Sequence, residues 1–542
     1  MSDETANTTE AAAPPPFVLE QGKRFSESMM WKLTRDFYAQ RGISAWDSGI
    51  VPSYVTSNPF IAQTYAQVAW QYLRDCLCDR GHCRIDPSQP IYIVELAAGH
   101  GRFSYLFLKK FLALKNASSL KHLDIRFIMT DFTETNVKSW ARQKLFTDYM
   151  EQGVLHLALF DLECDEHLQL YPSGQVLSQE SIKNPMIVVA NYIFDSLLQD
   201  FFRFEGGKIQ ECLLTTRHTE PLSETPIDPE VMSNFHLDWE MNPVTPEGYY
   251  DDAQTEQVLS GYKGCLSDTT LVFPIGAMRT IRRLSHMSGQ RLLILSSDKG
   301  YTHEDELFYI AGQYVQFHGA LSTMTNYHAL GQFVQHLGGH YLATTQRQMS
   351  LKTVAYLVGG TAEQFSDTIA FFKTNMDVFG PYDFYTLLNG VRNAAPNLSI
   401  DGVMELMRLS HYDPQVFFDY EKTLLDQAGN LSETQRVELM MNLDKTWQNF
   451  YPLGRDLPFE LARVYLSLKR PREALRFNQT SMDMFGEHPV TFCNMGICYY
   501  QAEDTANALL CFEKSLALNP DYGLPKAWLA RIAAEQKRHG EN

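Results

Sequence analysis

Apolar residues are set along this chain in two different rhythms. As far as about residue 360, short runs that are apolar on both faces alternate with amphipathic stretches; the runs are "IYIVEL", "DIRFIMTD", "VLHLALFD", "PMIVVANYIF" and "RLLILSS". Runs of this length, rich in aliphatic and β-branched residues, predict buried parallel strands, and the amphipathic stretches predict the crossover helices between them. The expected architecture is a doubly wound α/β sheet. Ahead of it, "TSNPFIAQTYAQVAWQYLRD" sets Ile61, Tyr65, Val68, Ala69 and Tyr72 on one face of a helix. Between about residues 206 and 264 the chain turns polar and Pro-rich ("TEPLSETPIDPE", "MNPVTPEGYYDD"), which predicts an insertion over a sheet edge or above a site. Beyond Gly360 the strand-like runs stop and only amphipathic helical patterns remain, so an all-α domain is expected.

Part of that helical region repeats itself at a spacing of 34: Leu461/Met495, Ala462/Gly496, Tyr465/Tyr499, Ala474/Ala508 and Ser481/Ser515, with Pro520 closing the second unit. Small residues where paired helices touch, with rings at fixed positions, resemble the tetratricopeptide repeat. The likeness spans residues 456–537 and ends in "LPKAWLARIAAEQKRHG", whose charged outer face suits a cap. Residues 361–455 are read as a helical linker domain, and the repeats as a surface for a protein partner.

Composition narrows the choice of partner. The 542 residues carry a formal net charge of −18, which disfavours nucleic acid and suits a basic protein segment. Arg279, Arg282, Arg283 and Arg291, the nearest thing to a basic stripe, read as the polar face of one helix. Nine cysteines without a regular framework suggest a reducing compartment. In "CLCDRGHC", Cys76, Cys78, His82 and Cys83 lack a common zinc spacing, so no metal is expected. Residues 1–24 open acidic and Ala/Pro-rich, with neither a signal-peptide core nor transit-peptide arginines, and are expected to form a disordered tail. No apolar run approaches the ~20 residues that span a bilayer. The expectation is a cytoplasmic protein that does not enter membranes.

The candidate chemistry gathers after the first strand. "IYIVELAAGHGRF" stops at Glu95 and turns through Ala97, Gly99 and Gly101 into a helix start. Ligands of open parallel sheets bind outside the carboxyl ends of the strands, beside such a turn. As a dinucleotide fingerprint, Gly99-x-Gly101-x-x-Ser104 would hold a pyrophosphate on the helix N-terminus. As an S-adenosylmethionine (SAM) site, the backbone would pass flat against a ligand without phosphate. Asp131 ends the second strand, in position to accept from ribose hydroxyls, and Asp161 ends the third, where an adenine amine could be bound. Carboxylates suit a sulfonium and its ammonium better than a pyrophosphate dianion, which favours SAM. Each acid also reads as a helix N-cap after a strand, Asp131 above all, because "DFTETNVKSW" is a capped helix start.

The order "TSNPFIAQTYAQV", "VELAAGHGRF", "FIMTDFTETNVKSWARQKL", "IVVANYIFDSLLQDFFRF" and "FHGALSTMTNYHAL" resembles the MidA family of SAM-dependent methyltransferases, which includes a mitochondrial arginine methyltransferase of complex I assembly. The likeness covers about residues 25–360 and implies a Rossmann-like class I methyltransferase domain that uses SAM. "NYIFDSLLQDFF" matches the family segment at Asn191, Phe194, Asp195 and Leu197. It departs at Tyr192 and Leu198, where the family has Glu and Pro, and the first glycine of the usual loop is Ala97. Taken by itself, a residue just after the fourth strand faces the reactive end of a cofactor, where positioning supplies much of the acceleration. An arginine acceptor has no lone pair to spare and needs a carboxylate to orient it. Asp195 is the expected catalytic acid and Asn191 its positioning partner; their alternative is a helix N-cap and a solvated first-turn acid. Ala97, Tyr192 and Leu198 also keep open a scaffold that only binds SAM.

Overall fold

The structure, a computed structural model, describes residues 16–47, 53–79, 81–222, 228–347, 350–395 and 397–540. Nine strands make the large sheet: β1 (Ile91–Glu95), β2 (Ile125–Asp131), β3 (Leu155–Leu159), β4 (Leu168–Tyr171), β5 (Val176–Leu177), β6 (Met186–Val189), β7 (Leu292–Asp298), β8 (His340–Ala343) and β9 (Lys352–Val358). Their order is β8-β9-β7-β6-β1-β2-β3-β4-β5. The neighbours β7, β6, β1, β2 and β3 run parallel, and they are the five apolar runs of the sequence. β9 pairs antiparallel with both β7 and β8, and β4 and β5 extend the other edge antiparallel. Every residue of β1, β6, β7 and β9 is buried, as expected when both faces of a sheet are covered. The chain leaves β1 toward β2 and returns on its other side as β6, so β1 and β6 bound the topological switch point.

A second, five-stranded antiparallel sheet is built from Phe17–Arg24, Asp200–Glu205, Lys208–His218, His236–Val244 and Thr269–Phe273. It corrects one expectation. Phe17–Arg24, assigned to the disordered tail, is a strand paired with Lys208–His218; residues 1–15 lie outside the described residues. The stretch 206–264, expected as an insertion, lies between β6 and β7 and carries the strands Lys208–His218 and His236–Val244 and the helix Ala253–Gly261; its residues 223–227 lie outside the described residues. Phe25, Trp31, Phe201, Leu214 and Val272 form the core of this layer, and Trp239 packs on Phe25 at 5.5 Å.

The chain divides into two compact units, residues 1–57 with 61–383, and 58–60 with 384–542. The first unit therefore continues past the expected boundary at 360. Helices Ser366–Phe371 and Phe372–Met376 belong to it, the latter wound as a π-helix. The second unit is helical. Asp413, Ser432, Asp456 and Asp504 each accept a backbone N–H at a helix start, which satisfies donors that the helix itself leaves unpaired. The period-34 positions have packing reasons. Tyr465 stacks on Phe477 at 5.4 Å, and a Cβ on Gly496 would come 2.6 Å from the Phe512 ring, so this contact requires glycine. Among the described residues, no helix is long and apolar enough to cross a membrane.

Candidate functional site

A cavity of about 1180 Å³, open to solvent, lies at the carboxyl ends of β1, β2, β3 and β6. Its floor is the turn after β1. Leu96 N–H donates to the Val189 carbonyl of β6 and Ala98 N–H to the Thr130 carbonyl of β2, each at 2.9 Å, so the turn is tied to both neighbouring strands. Ala97, Gly99 and Gly101 have φ of 47°, 54° and 84°. Gly99 is needed twice over, since a Cβ there would also meet the Trp46 indole at 3.0 Å. Its carbonyl accepts from Trp140 Nε1 at 2.9 Å. Gly101 donates its N–H to the Ala98 carbonyl and opens the helix Arg102–Asn116.

Of the residues singled out in the sequence, Glu95, Ala97, Gly99, Asp131, Asp161 and Asn191 line this one cavity. Gly101 and Asp195 do not. Glu95 is buried at the end of β1 and accepts from Ser104 Oγ. Burial pushes its carboxyl up to about 8, and the Ser104 bond opposes this only in part. Asp131 accepts from Thr133 N and Oγ1 at 2.8 and 2.9 Å and from Asn136 Nδ2 at 2.9 Å. Burial raises its carboxyl above the usual range against those three bonds. Asp131 thus borders the cavity and also organises the start of the helix Glu134–Ala141.

Asp161, expected where an adenine amine could be bound, is held by partners of its own. Arg35, on the helix Met29–Arg41, donates to both of its oxygens, and Glu163 N–H donates to Oδ1 at 3.0 Å. Burial alone would raise Asp161, but these bonds hold it below the usual range. The Arg35 guanidinium also lies 4.6 Å from the Phe132 ring centre. Asn191 Oδ1 accepts from Tyr65 Oη and from Ser297 N, both at 3.0 Å, and so clamps the end of β6 to β7. Asp195, expected at the reactive end of a cofactor, lies beside the cavity lining of Ile193, Ser196 and Leu197. It is buried on a 3-10 turn, accepts from Ser196 Oγ at 2.8 Å and lies 3.7 Å from Lys299 Nζ. Its backbone N–H donates to Asp298 Oδ2 at 3.2 Å. Burial raises both aspartates, and Asp195 raises Asp298 further.

Several lining residues escaped the sequence reading. Trp31, Thr34, Arg35 and Tyr38 fall at i, i+3, i+4 and i+7 of one helix and form a wall. That mixed polar and aromatic stripe was the available signal. Trp46 stacks on Tyr38 at 5.8 Å, and Glu163 adds a carboxylate that burial raises. His100 donates to or accepts from Ser53 Oγ at 2.9 Å, and burial lowers it to about 3, which leaves it neutral. Arg35 is the one lining Arg or Lys among the described residues. The Cys76 and Cys83 thiols are buried and Cys78 is exposed. Among the described residues no three His, Cys, Asp or Glu side chains are grouped to hold a metal.

Residues 489–522 match the tetratricopeptide repeat family. No curated protein matches the chain. Among solved structures it is similar to an uncharacterized protein of the COG1565 superfamily from Burkholderia thailandensis, at 12% identity over 65% of this chain and 90% of that one, with a TM-score of 0.40. A second superfamily member from that organism, for which a methyl transferase activity is suggested and which is bound to S-adenosyl-homocysteine, aligns at 11% identity over 63% of this chain and 95% of that one, with a TM-score of 0.36.

Proposed function

We propose that the first unit is a Rossmann-like class I SAM-dependent methyltransferase of MidA type, acting on a protein with arginine as the leading acceptor, and that the repeats recruit this partner. The observation that carries the reading is the carboxyl lining of the cavity, whose groups a bound cation would draw into the ionised form. Glu95, Asp131 and Glu163 line it, while the one lining guanidinium, Arg35, is committed to Asp161. A cationic sulfonium with its ammonium gains from such walls, whereas a pyrophosphate would meet carboxylates. In this reading Glu95 holds the ammonium, Asp131 the ribose hydroxyls, and the adenine lies beside Phe132, Phe160 and Leu162. The bound ligand supplies the methyl group. Nine free thiols accord with a reducing, cytoplasmic setting. Calorimetry on the full chain with SAM and with NADH tests the assignment. SAM is expected to bind, and NADH binding without a response to SAM would overturn it.

A second reading has its own support. Asn191 Oδ1 already accepts two bonds and Asp195 points toward Lys299, so neither side chain is free for an acceptor. The chain would then be a scaffold that binds SAM without transferring its methyl group. Transfer of labelled methyl from SAM to a co-purified partner would exclude this.

A further inference from the structure

Arg35 makes the two contacts that an aminopurine would make in the same place. Its guanidinium lies 4.6 Å from the centre of the Phe132 ring and donates to both oxygens of Asp161, to Oδ1 at 3.1 Å. A guanidinium is planar, stacks on aromatic faces and carries its N–H donors in a rigid fork. Adenine is likewise flat and presents an exocyclic amine as a donor. Phe132, just after β2, and Asp161, just after β3, both line the large cavity.

The contact is built so that the side chain can exchange while its helix stays in place. Ser28 caps the start of the helix Met29–Arg41, Leu321 N–H donates to Thr34 Oγ1 at 3.0 Å, and Arg41 pairs with Glu230. The Arg35 side chain itself is 37% exposed, so water competes for its ion pair. A second carboxyl group stands within reach. Glu163 Oε2 lies 3.9 Å from Arg35 Nη1, and burial raises this carboxyl in spite of Arg35. The other Glu163 oxygen, Oε1, accepts from Leu198 N–H at 3.2 Å. A rotation of the Arg35 side chain alone therefore trades Asp161 for Glu163 without stranding the charge.

We propose that Arg35 is an exchangeable occupant of the adenine end of the cavity and sets its base preference: an adenine-bearing ligand takes the Phe132 face and the Asp161 carboxylate, and Arg35 moves to Glu163. This rests on the reading of the cavity as a SAM site and adds the residue that the ligand must displace. The exchange leaves a signature in the choice of base. Once Arg35 has moved, the base edge meets a carboxylate and must donate to it, which adenosine does and inosine, with a carbonyl in place of the amine, does not. Were Arg35 to stay, the base edge would meet N–H donors and inosine would be favoured.

Calorimetry on the full chain with S-adenosyl-homocysteine, S-inosyl-homocysteine, adenosine and inosine tests this. Wild type should prefer the adenine member of each pair by about tenfold or more. Arg35→Leu should bind both adenine ligands about two- to fivefold tighter with the base preference kept, and Arg35→Lys should fall between it and wild type. Adenosine is uncharged, so added salt acts mainly on the ion pair; it should tighten adenosine binding to wild type and leave Arg35→Leu unmoved. Asp161→Asn should erase the base preference, because a carboxamide serves either base. Melting temperatures control for folding, and the gain of affinity in Arg35→Leu cannot come from unfolding. Equal adenine-ligand affinity in wild type and Arg35→Leu, or a preference of wild type for inosine, would overturn the exchange and leave the SAM reading standing if S-adenosyl-homocysteine binds. Exchange seen with adenosine, with no affinity added by the homocysteine part, would overturn the SAM reading and spare the exchange. Binding of none of the four ligands would overturn both.

Discussion

At the scale of single residues, Glu95 joins stability to ligand charge. Its buried carboxyl sits at about 8, against 4.5 for a solvated glutamate. Between those two values the folded chain keeps a proton that the unfolded chain releases. Stability is therefore complete below 4.5 and declines as pH rises toward 8. Glu95→Gln removes the titration, so its melting temperature relative to wild type should climb across that window. A cationic ligand favours the ionised form. If SAM is the ligand, Glu95→Gln forfeits a charge-assisted bond of about 1.5 to 3 kcal/mol and loses one to two orders of magnitude in affinity. Unchanged affinity by calorimetry would leave Glu95 as a structural acceptor for Ser104. Ala97 gives a second check. Its φ of 47° is a conformation that side chains disfavour by about 1 to 2 kcal/mol, while glycine brings an entropic cost of about 0.5 to 1 kcal/mol. Ala97→Gly should then keep stability within about 1 kcal/mol or raise it, with SAM affinity intact, whereas Ala97→Val should lower the melting temperature. A destabilised Ala97→Gly would mean that the methyl group packs where glycine cannot.

At the scale of elements, the start of the helix Glu134–Ala141 separates a cap from a ligand site. Asp131 holds that helix through Thr133 and Asn136 and also borders the cavity. Thr133→Ala removes one of those bonds and spares the carboxylate, so it should cost about 1 kcal/mol and leave SAM affinity unchanged. Asp131→Ala should lower both stability and affinity, the latter tenfold or more if two ribose hydroxyls are bound. Equal loss of affinity in the two variants would reduce Asp131 to a helix-starting residue. The elements also show what a sequence can reveal. Strands buried on both faces, such as Ile91–Glu95 and Leu292–Asp298, are legible because burial selects runs of apolar residues, with the polar ones confined to the carboxyl ends. Phe17–Arg24 and His236–Val244 are not. The first is irregular in register, both mix exposed with half-buried residues and have none fully buried, and their polar composition reads as loop. The turn after β1 was legible because left-handed backbone and close approach select glycine. The partners of its acids were not, since Arg35 and Asp161 are 126 residues apart and only tertiary folding joins them. The partners of Asp195, Lys299 and Asp298, are likewise invisible in "NYIFDSLLQDFF".

At the scale of the whole molecule, the boundary between the units decides which part of the chain can carry the ligand site alone. Every residue proposed to touch SAM lies in the unit formed by residues 1–57 and 61–383. A chain ending at Gly360 would nevertheless be damaged, because residues 361–383 are packed and hydrogen-bonded into that unit. Asp75 accepts from Thr368 N at 2.9 Å, from Thr368 Oγ1 at 2.6 Å and from Asp367 N at 3.2 Å. Phe365 is 1% exposed and packs 5.6 Å from the ring of Tyr72. Asp377 accepts from Thr345 N and Oγ1 at 2.5 and 3.0 Å. Stripping the donors from buried Asp75 costs about 1 to 3 kcal/mol, and losing the burial of Phe365 costs about 1.5 to 3 kcal/mol more. A chain ending at 383 keeps all of these contacts. It should bind SAM with the affinity of the full chain, whereas a chain ending at 360 should melt lower by roughly ten degrees or more, or precipitate. Truncation at 383 does expose Phe60, which stacks on Phe384 at 4.5 Å within the other unit, so its solubility is best judged beside a Phe60→Ser version. Thermal melts and SAM titrations of the two truncations decide the point. Equal melting temperatures would mean that residues 361–383 add nothing to the first unit, and loss of SAM binding at 383 with the fold retained would mean that the second unit helps to form the site.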